Sequence, residues 1–400
     1  MSGRVRGPTR RRGGDRVGAP DGFRTEEPRR ARVTRTPLGA MGRRKRKSRD
    51  EDEAIAPNPS ASFRMLGGTG TITARFMRDS GALWRDRDDA ALRARLADDG
   101  YVLLRRALDP AAVRAAARCV LRALRRARPE AFARFGNDDA SSPSSSDDVL
   151  AVGASGLGLL SMPEVAQLPK VRDVLEHPSL FALADALLRP AAADTAVCAD
   201  QSSSSIITAK YKWLRAVAGG EFTGVHVDRV FLGGGGHDAL VTLWIPLGAV
   251  RRVDGPIMVA RGSHRSKEFK NFRETYGRSD VGADGTHSGW ATDDASQLPG
   301  LLRKMNGRGN ANRNGSSSCD VDWRTADFEP GDVVALGVDA CHMSASNESG
   351  ANTAGGKGAR VRLSCDTRWQ PACKETDPRI RVWRRRVGDA VVDEVRDRAR

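Results

Sequence analysis

From about residue 193 onward, the chain is a series of short runs rich in β-branched and aromatic residues, separated by turn residues. The runs include "SIITAKYKWLRAV", "ALVTLWIPLG", "GPIMVARGS", "DVVALGV" and "ARVRLSCDTRW". Such runs have the length and composition of strands, and the frequent turns between them favour a sheet-built domain over a helical one. The second half of the chain is therefore predicted to be a β-sandwich or a jelly-roll barrel.

Helical patterns come before this region. "ALWRDRDDAALRARLADDG" predicts a helix that ends at Gly100. "DPAAVRAAARCVLRALRRA" predicts a second helix, with Asp109 as its cap and Pro110 in its first turn. The short strand "YVLLRRAL" lies between the two, and a further pair of helices is expected over residues 163–189. Helices followed by many strands predict a mostly β fold with N-terminal helical cover.

The chain begins with a basic segment. Residues 1–50 contain 17 Lys and Arg against 5 Asp and Glu, so 12 of the chain's 16 net positive charges lie there. The segment is rich in Arg, Gly and Pro and poor in large apolar residues, which predicts a disordered tail. It is either a polyanion or nucleic-acid contact or a solvated tail with no specific partner.

Changes in composition also indicate the boundaries of segments in the rest of the chain. Polar, glycine-rich and serine-rich stretches interrupt the apolar pattern and predict mobile insertions. The predicted segments are a tail and linker at 1–78, one folded domain at 79–385 with mobile insertions at about 136–150, 278–320 and 347–358, and a charged C-terminal segment at 386–400.

The six cysteines form no CxxC pair, which is typical of a reduced, intracellular chain. The cytoplasm or the nucleus is favoured, with organelle targeting by the N-terminus as the alternative. No run approaches the roughly 18 apolar residues of a membrane helix, so no membrane span is expected.

Three side chains with metal-binding chemistry stand near predicted strands. In "FTGVHVDRVF", His226 and Asp228 are two apart, so in a regular strand both point to one face. "PGDVVALGVDACHMSASN" places His342 at the end of a later strand. Two histidines and one carboxylate are the facial triad of non-haem Fe(II) oxygenases. The His-x-Asp pair alone could equally belong to a solvated strand face.

Arginines follow on the last strand of this region. "ARVRLSCDTRWQ" contains Arg360, Arg362 and Arg368, and the first two share one face of a regular strand. An arginine on a strand beside a metal site is a natural partner for a carboxylate, because its planar fork binds both oxygens.

Taken in order, five stretches between about Asp99 and Gln370 resemble the phytanoyl-CoA dioxygenase family of Fe(II)- and 2-oxoglutarate-dependent oxygenases. The stretches are "DDGYVLLRRALDPAAVRAA", "FTGVHVDRVF", "LVTLWIPLGAVRRVDGPIMVARGSHR", "FEPGDVVALGVDACHMSASN" and "RVRLSCDTRWQ". Each is modest evidence by itself, whereas their common order is specific for the family. The resemblance implies a double-stranded β-helix, similar to a cupin, that holds iron through His226, Asp228 and His342.

The same resemblance implies a site for 2-oxoglutarate. The "R-x-R-L-S" pattern assigns the distal carboxylate of 2-oxoglutarate to Arg362, with Arg360 as the alternative. Trp244 and Ser344 match positions that help to hold the co-substrate in the family. From the residues alone, Trp244 could equally be a core residue and Ser344 a solvated turn.

The implied reaction consumes 2-oxoglutarate and O2, releases succinate and CO2, and hydroxylates a small-molecule substrate that the sequence does not identify. Asp228 points to hydroxylation, since related halogenases lack this carboxylate. Tyr211, Lys212, Trp213 and Arg215 precede the His-x-Asp segment and either line the barrel mouth or belong to a packed or solvated strand. Two other functional classes remain open, a non-catalytic module that binds iron and 2-oxoglutarate and a nucleic-acid-associated protein that acts through its tail.

Overall fold

The computed structural model describes residues 61–132, 155–189, 206–232, 239–279, 281, 289–307, 320–350 and 359–396. The helices are α1 (Gly81–Arg85), α2 (Asp89–Asp99), α3 (Pro110–Ala127), α4 (Pro169–Leu175), α5 (Pro178–Leu188), α6 (Lys270–Glu274) and α7 (Leu298–Met305). The strands are β1 (Ser62–Gly67), β2 (Gly70–Phe76), β3 (Tyr101–Leu104), β4 (Ile206–Ala209), β5 (Trp213–Val217), β6 (Val241–Pro246), β7 (Ile257–Ala260), β8 (Trp323–Thr325), β9 (Val333–Gly337), β10 (His342–Ser344), β11 (Arg362–Pro371), β12 (Val382–Val387) and β13 (Ala390–Val395).

These strands form two sheets. The smaller sheet has the order β1-β2-β8-β7-β10, and the larger has the order β13-β12-β4-β11-β6-β9-β3, with β5 paired to β11. Side chains from both sheets, among them Tyr101, Trp244 and Val259, pack in one hydrophobic cluster. The sheets therefore face each other around a common core, which confirms the predicted jelly-roll fold with helical cover.

Alternation along β6 separates the inside of the barrel from the helical layer. Trp244 belongs to the cluster between the sheets. Leu243 and Ile245 instead pack with residues of α3, α4 and α5. Because neighbouring residues of a strand point to opposite faces, one strand lines the barrel and carries the helices at the same time. Thr242 and Trp244 share the inward face.

The cap predicted for α3 is confirmed. The Asp109 carboxylate accepts hydrogen bonds from the backbone N–H groups of Ala111 (3.1 Å) and Ala112 (3.0 Å). Val113, Val120 and Leu124 are buried on the face toward the sheet. A satisfied first turn and an apolar stripe together explain why this helix forms where the sequence predicts it.

The single helix predicted before Gly100 is divided in two. Arg87 has a φ of 58° between α1 and α2. Asp88 then caps α2 by accepting a hydrogen bond from the N–H of Ala91 at 2.9 Å. A left-handed residue cannot continue an α-helix, so the charged run "RDRDD" ends one helix and caps the next. Gly100, with a φ of 80°, ends α2 as predicted.

The predicted tail boundary at residue 78 is wrong, because β1 and β2 form a hairpin before it. Met65, Ile72 and Ala74 from this hairpin are buried, and β2 pairs in parallel with β8. The alternating pattern of "FRMLGGTGTITARF" is short and directly follows the polar tail, so composition alone does not separate it from the tail. Residues 1–60, with the predicted disorder and polyanion contact, lie outside the described residues.

The predicted C-terminal boundary at residue 385 is also wrong. β12 and β13 form a hairpin that turns at Gly388, where φ is 59°. β12 joins the large sheet by pairing with β4. The many arginines and acids make this segment look like a solvated tail, yet Arg384 and Asp393 lie directly opposite each other in the hairpin and form an ion pair at 2.8 Å.

Parts of two predicted mobile insertions are packed. α7 lies within 278–320 and buries Leu298 and Leu302 against the smaller sheet. Asn347 is buried, and its side-chain amide donates to the carbonyl oxygens of Val217 (3.0 Å) and Arg360 (2.7 Å). The remaining parts of the predicted insertions lie outside the described residues.

Cys373 is disulfide-bonded, so the expectation of fully reduced cysteines does not hold at this position. The other described cysteines, Cys119, Cys341 and Cys365, are free. In the described segments, every helix is too short or too polar to traverse a lipid bilayer.

Candidate metal centre

The His-x-Asp segment is not the regular strand that its sequence predicts. His226 forms an isolated bridge with His342, in which each backbone N–H donates to the other residue's carbonyl, at 2.9 and 2.8 Å. The chain then turns, and Asp228 begins a 3-10 helix that ends at Phe231. The backbone pairing fixes the two histidines side by side, and the turn brings the carboxylate toward them.

The three side chains converge. One potential ligand atom from each of His226, Asp228 and His342 lies within 4.8 Å of the other two, and all three residues are buried. Asp228 Oδ1 is 4.0 Å from Nε2 of His226 and 3.8 Å from Nε2 of His342. Within the described segments, this is the one group of three histidine, cysteine or acidic residues with spacing suited to a metal ion.

The hydrogen bonds of the two imidazoles leave the same nitrogen available in each ring. Nδ1 of His226 lies 2.8 Å from the carbonyl oxygen of Gly224, and Nδ1 of His342 lies 2.8 Å from that of Ala340. Because a carbonyl oxygen only accepts, each Nδ1 carries a proton, and Nε2 is the nitrogen of each ring that remains for a metal ion. A backbone acceptor on the far nitrogen is the usual way in which proteins orient a histidine ligand.

Two neighbours hold the carboxylate of Asp228. Thr242 donates a hydrogen bond from Oγ1 to Oδ2. Arg368 donates from Nη2 to Oδ1 at 2.8 Å. Burial opposes ionisation of Asp228, but Arg368, the two histidines and Thr242 outweigh it and hold the pKa of the carboxyl below its usual range. The group is therefore a carboxylate at neutral pH.

Burial has the opposite consequence for His226. Desolvation, together with the neighbouring His342, lowers the pKa of His226 to about 3. The ring is therefore neutral at neutral pH. A neutral imidazole and an ionised carboxylate are the protonation states that a metal ion requires of its ligands.

The structure separates the two arginine candidates. Arg362 is buried, and its Nη1 donates to Ser364 Oγ at 3.1 Å, while its Nε and Nη2 have no hydrogen-bond partner among the described residues. Burial, and secondarily Arg215, lower its pKa to about 10, so the guanidinium remains charged at neutral pH. Arg360 lies before β11, half exposed, and pairs with Asp254 at 2.5 Å.

A small cavity of about 30 Å³ joins Arg362 to the metal ligands. A space of this size holds one or two water molecules, so a larger ligand enters only when lining side chains move. The cavity is lined by Arg215, Thr223, His226, Trp244, Ile257, His342, Met343, Ser344, Arg362 and Asp366. The buried, incompletely paired guanidinium beside the ligand set is suited to an anion bound next to a metal.

Trp244 and Ser344 both line this cavity. Trp244 is also a core residue, since its ring packs against Phe328 with the centroids 4.8 Å apart. Ser344 is buried rather than solvated, and its Oγ accepts a hydrogen bond from the N–H of Thr223 at 2.7 Å.

Sequence reasoning gave no role to Thr242 or Arg368, the two side chains that hold Asp228. The two-residue period of a strand could have found both. Thr242 is two positions before Trp244 on β6, and Arg368 is six positions after Arg362 on β11, so each shares the inward face of its strand.

The sequence match agrees with this geometry. The family described as phytanoyl-CoA dioxygenase matches residues 96–353, which is well over half of the chain. The chain belongs to the phytanoyl-CoA dioxygenase family. Members are Fe(II)- and 2-oxoglutarate-dependent oxygenases, and the neutral imidazole of His226, the ionised Asp228 and the buried Arg362 fit these two cofactors.

Solved structures of similar fold include the non-heme alpha-ketoglutarate-dependent epimerase SnoN from nogalamycin biosynthesis, at 15% identity and a TM-score of 0.40, with 76% of this chain and 87% of that chain covered. The carbocyclase SnoK from the same biosynthesis is 17% identical, with a TM-score of 0.40, and the match covers 71% of this chain and 84% of that chain. AviO1 from Streptomyces viridochromogenes is 18% identical, with a TM-score of 0.40, and the match covers 73% of this chain and 98% of that chain. No curated protein sequence matches the chain.

Proposed function

We propose that the protein is an Fe(II)- and 2-oxoglutarate-dependent hydroxylase of a small organic molecule, and that His226, Asp228 and His342 are its iron ligands. The observation that carries the proposal is the convergence of these three buried side chains to within 4.8 Å. Iron with 2-oxoglutarate and O2 supplies the oxidation, which yields succinate, CO2 and a hydroxylated substrate.

The protein's own residues prepare this chemistry by fixing the ligands before the metal binds. The carbonyl oxygens of Gly224 and Ala340 keep the protons of His226 and His342 on Nδ1, away from the metal. Arg368 neutralises Asp228 at 2.8 Å and holds Oδ1 on the side of the histidines. Orientation by neighbours of the ligands strengthens metal binding, because fewer rotamers are lost on coordination.

Arg362 is proposed to bind the distal carboxylate of 2-oxoglutarate. Its Nε and Nη2 are unpartnered, and the two nitrogens form one edge of the planar guanidinium. A carboxylate accepts both donors of such an edge in parallel hydrogen bonds. Trp244 and Ser344 would form the wall beside it, since both line the same cavity.

Asp228 supports hydroxylation over halogenation. With Asp228 among the ligands, its carboxylate would take the position that a halide would need on the metal. Arg368 and Thr242 bind both oxygens of this carboxylate, so Asp228 is held in the site and does not swing away to free that position.

The test is iron binding and turnover in His226→Ala and His342→Ala. The wild type is expected to bind about one iron per chain and to release succinate from 2-oxoglutarate in air, with stimulation by a true substrate in a small-molecule screen. Each variant should lose both properties, because two ligands alone hold iron weakly.

His264→Ala is the matched control. His264 is also partly buried, but its Nε2 lies 2.8 Å from the carbonyl oxygen of Ala97 and it is outside the ligand set. The control should keep both iron and succinate release. Full succinate release by iron-loaded His342→Ala would contradict the proposed ligand set. An iron-loaded wild type that never decarboxylates 2-oxoglutarate with any candidate substrate would favour a binding module over an enzyme.

A further inference from the structure

A second and larger cavity, of about 660 Å³, lies at the end of the barrel where β4, β5 and β12 meet. We name it the outer chamber and define it by six of its lining residues, Lys210, Tyr211, Trp213, Phe231, Arg379 and Val382. Its volume is within the range of cavities that enclose a drug-sized molecule.

Two side chains of the chamber wall lie beside the candidate metal site, one in contact with a ligand and one in contact with a neighbour of a ligand. The ring of Phe231 packs edge-on against His226, with the centroids 5.3 Å apart. The guanidinium of Arg368, which binds Asp228, lies 4.7 Å from the ring centroid of Trp213. A molecule in the chamber is therefore separated from His226 by one side chain, Phe231, and from Asp228 by two, Trp213 and Arg368.

Flat aromatic surfaces dominate the chamber wall on this side. Tyr211 and Trp213 pack edge to face, with the centroids 5.0 Å apart. The Tyr211 hydroxyl donates to the carbonyl oxygen of Leu160 at 2.8 Å, so its polar end is occupied and its ring remains available for contact. Together with Phe231, these rings form a surface on which another ring or a bulky apolar group can pack.

The charges of the chamber are mostly paired. Lys210 Nζ binds Asp393 at 2.6 Å, and Arg379 Nη2 binds Asp377 at 3.1 Å. In the part of the chain that the structure describes, Arg381 is the lining cation, and Glu164 the lining acid, for which no ion pair is found. A polyphosphate would need several unpaired cations, whereas one carboxylate or sulfonate needs a single one.

We infer that the outer chamber binds the substrate, and that the substrate is a compact molecule with a ring-containing apolar body and at most one anionic group, not a nucleotide-linked thioester. The inference rests on the proposed function, because it places this molecule next to the iron ligands. Arg381 is the partner for the single anionic group, and Trp213 and Phe231 guide the apolar body toward the metal.

The test uses 8-anilinonaphthalene-1-sulfonate as the probe, since it combines aromatic rings with one anion. The wild type should bind one probe per chain, with a rise in fluorescence. Val382→Asp puts a carboxylate in the chamber wall and should weaken binding about tenfold, the cost expected for exposing an apolar ligand to an unpaired charge. Val392→Asp is the control on the paired strand β13, outside the chamber, and should change binding less than twofold.

Tyr211→Ala provides a second variant in case Val382→Asp does not fold, and it should weaken binding several-fold through lost ring contact. Coenzyme A at the same concentration as the probe should not displace it. Displacement by coenzyme A, or equal probe binding in wild type, Val382→Asp and Tyr211→Ala, would overturn the inference.

The position next to the metal has its own readout. With Mn2+ replacing iron, the nuclear relaxation of the probe's protons should quicken in the wild type and not in His342→Ala. Probe binding at the chamber without succinate formation would contradict the proposed function but not the assignment of the chamber as a binding site. Succinate formation, with probe binding that the chamber variants do not change, would support the proposed function and contradict the assignment of the chamber.

Discussion

Replacing Arg362 by methionine tests the assignment of the co-substrate anchor. Methionine keeps an unbranched apolar stem and removes the guanidinium. Arg362 is 2% exposed, and two of its nitrogens have no hydrogen-bond partner among the described residues. In the proposed complex these nitrogens donate two charge-assisted hydrogen bonds, each contributing about 1.5 kcal/mol or more. Losing both should cost about 3 kcal/mol, which corresponds to an increase of roughly 100-fold in KM for 2-oxoglutarate.

Arg360→Met is the matched control for this change. Arg360 is two positions away, and its side chain is 48% exposed and paired with Asp254. Its removal should leave KM for 2-oxoglutarate within about twofold, because Arg362 lines the cavity beside the metal ligands and Arg360 is not among the lining residues. Arg362→Lys keeps the charge but loses the planar fork, so KM should take an intermediate value.

The assay is succinate release as a function of 2-oxoglutarate concentration, with calorimetric titration of 2-oxoglutarate into the metal-loaded protein as a second measurement. A large rise in KM for Arg360→Met, with Arg362→Met unchanged, would show that the anchor is the other arginine. Equal effects in both variants would point to damage of β11 as a whole, which circular dichroism and urea unfolding would reveal.

Two further predictions concern stability. Because the pKa of His226 is lowered to about 3 in the folded protein, the unfolded chain binds a proton below about pH 6.5 that the folded metal-free protein does not. As the pH falls, the free energy of unfolding of the wild type should then decrease by about 1.4 kcal/mol per pH unit through this group. Urea unfolding at pH 6.5 and at pH 5.0 should show a smaller decrease for His226→Gln than for the wild type. Equal decreases in the two proteins would refute this. Asp109→Ala removes the cap of α3 and should lower the free energy of unfolding by about 1 kcal/mol, whereas the exposed Glu130→Ala should change it by less than about 0.5 kcal/mol.

The sequence predicted those elements whose local pattern and tertiary role agree. α3 carries its own cap and apolar stripe, and β6, β9 and β11 are β-rich runs buried on both faces. The hairpin of β1 and β2 was missed because its pattern is short and adjoins a long polar tail. The hairpin of β12 and β13 was missed because its charges are neutralised only by pairing across the two strands.

The metal site, too, was predicted in part from the sequence and in part only from the structure. Residue types and chain order were enough to nominate His226, Asp228 and His342. The reason for their convergence was predicted incorrectly, since a 3-10 turn at Asp228 replaces the regular strand. The choice between Arg360 and Arg362 could not be made from the two-residue period, because both were expected on one face.

By itself, the sequence determined the fold class and the chemical types of the site, since periodicity and side-chain chemistry are local properties. The tertiary structure alone decided which arginine is buried and incompletely paired, which side chains hold Asp228, and where a second cavity meets the ligands. These features depend on contacts between residues more than a hundred positions apart, such as Arg368 with Asp228, and burial, pairing and pKa exist only once those contacts have formed.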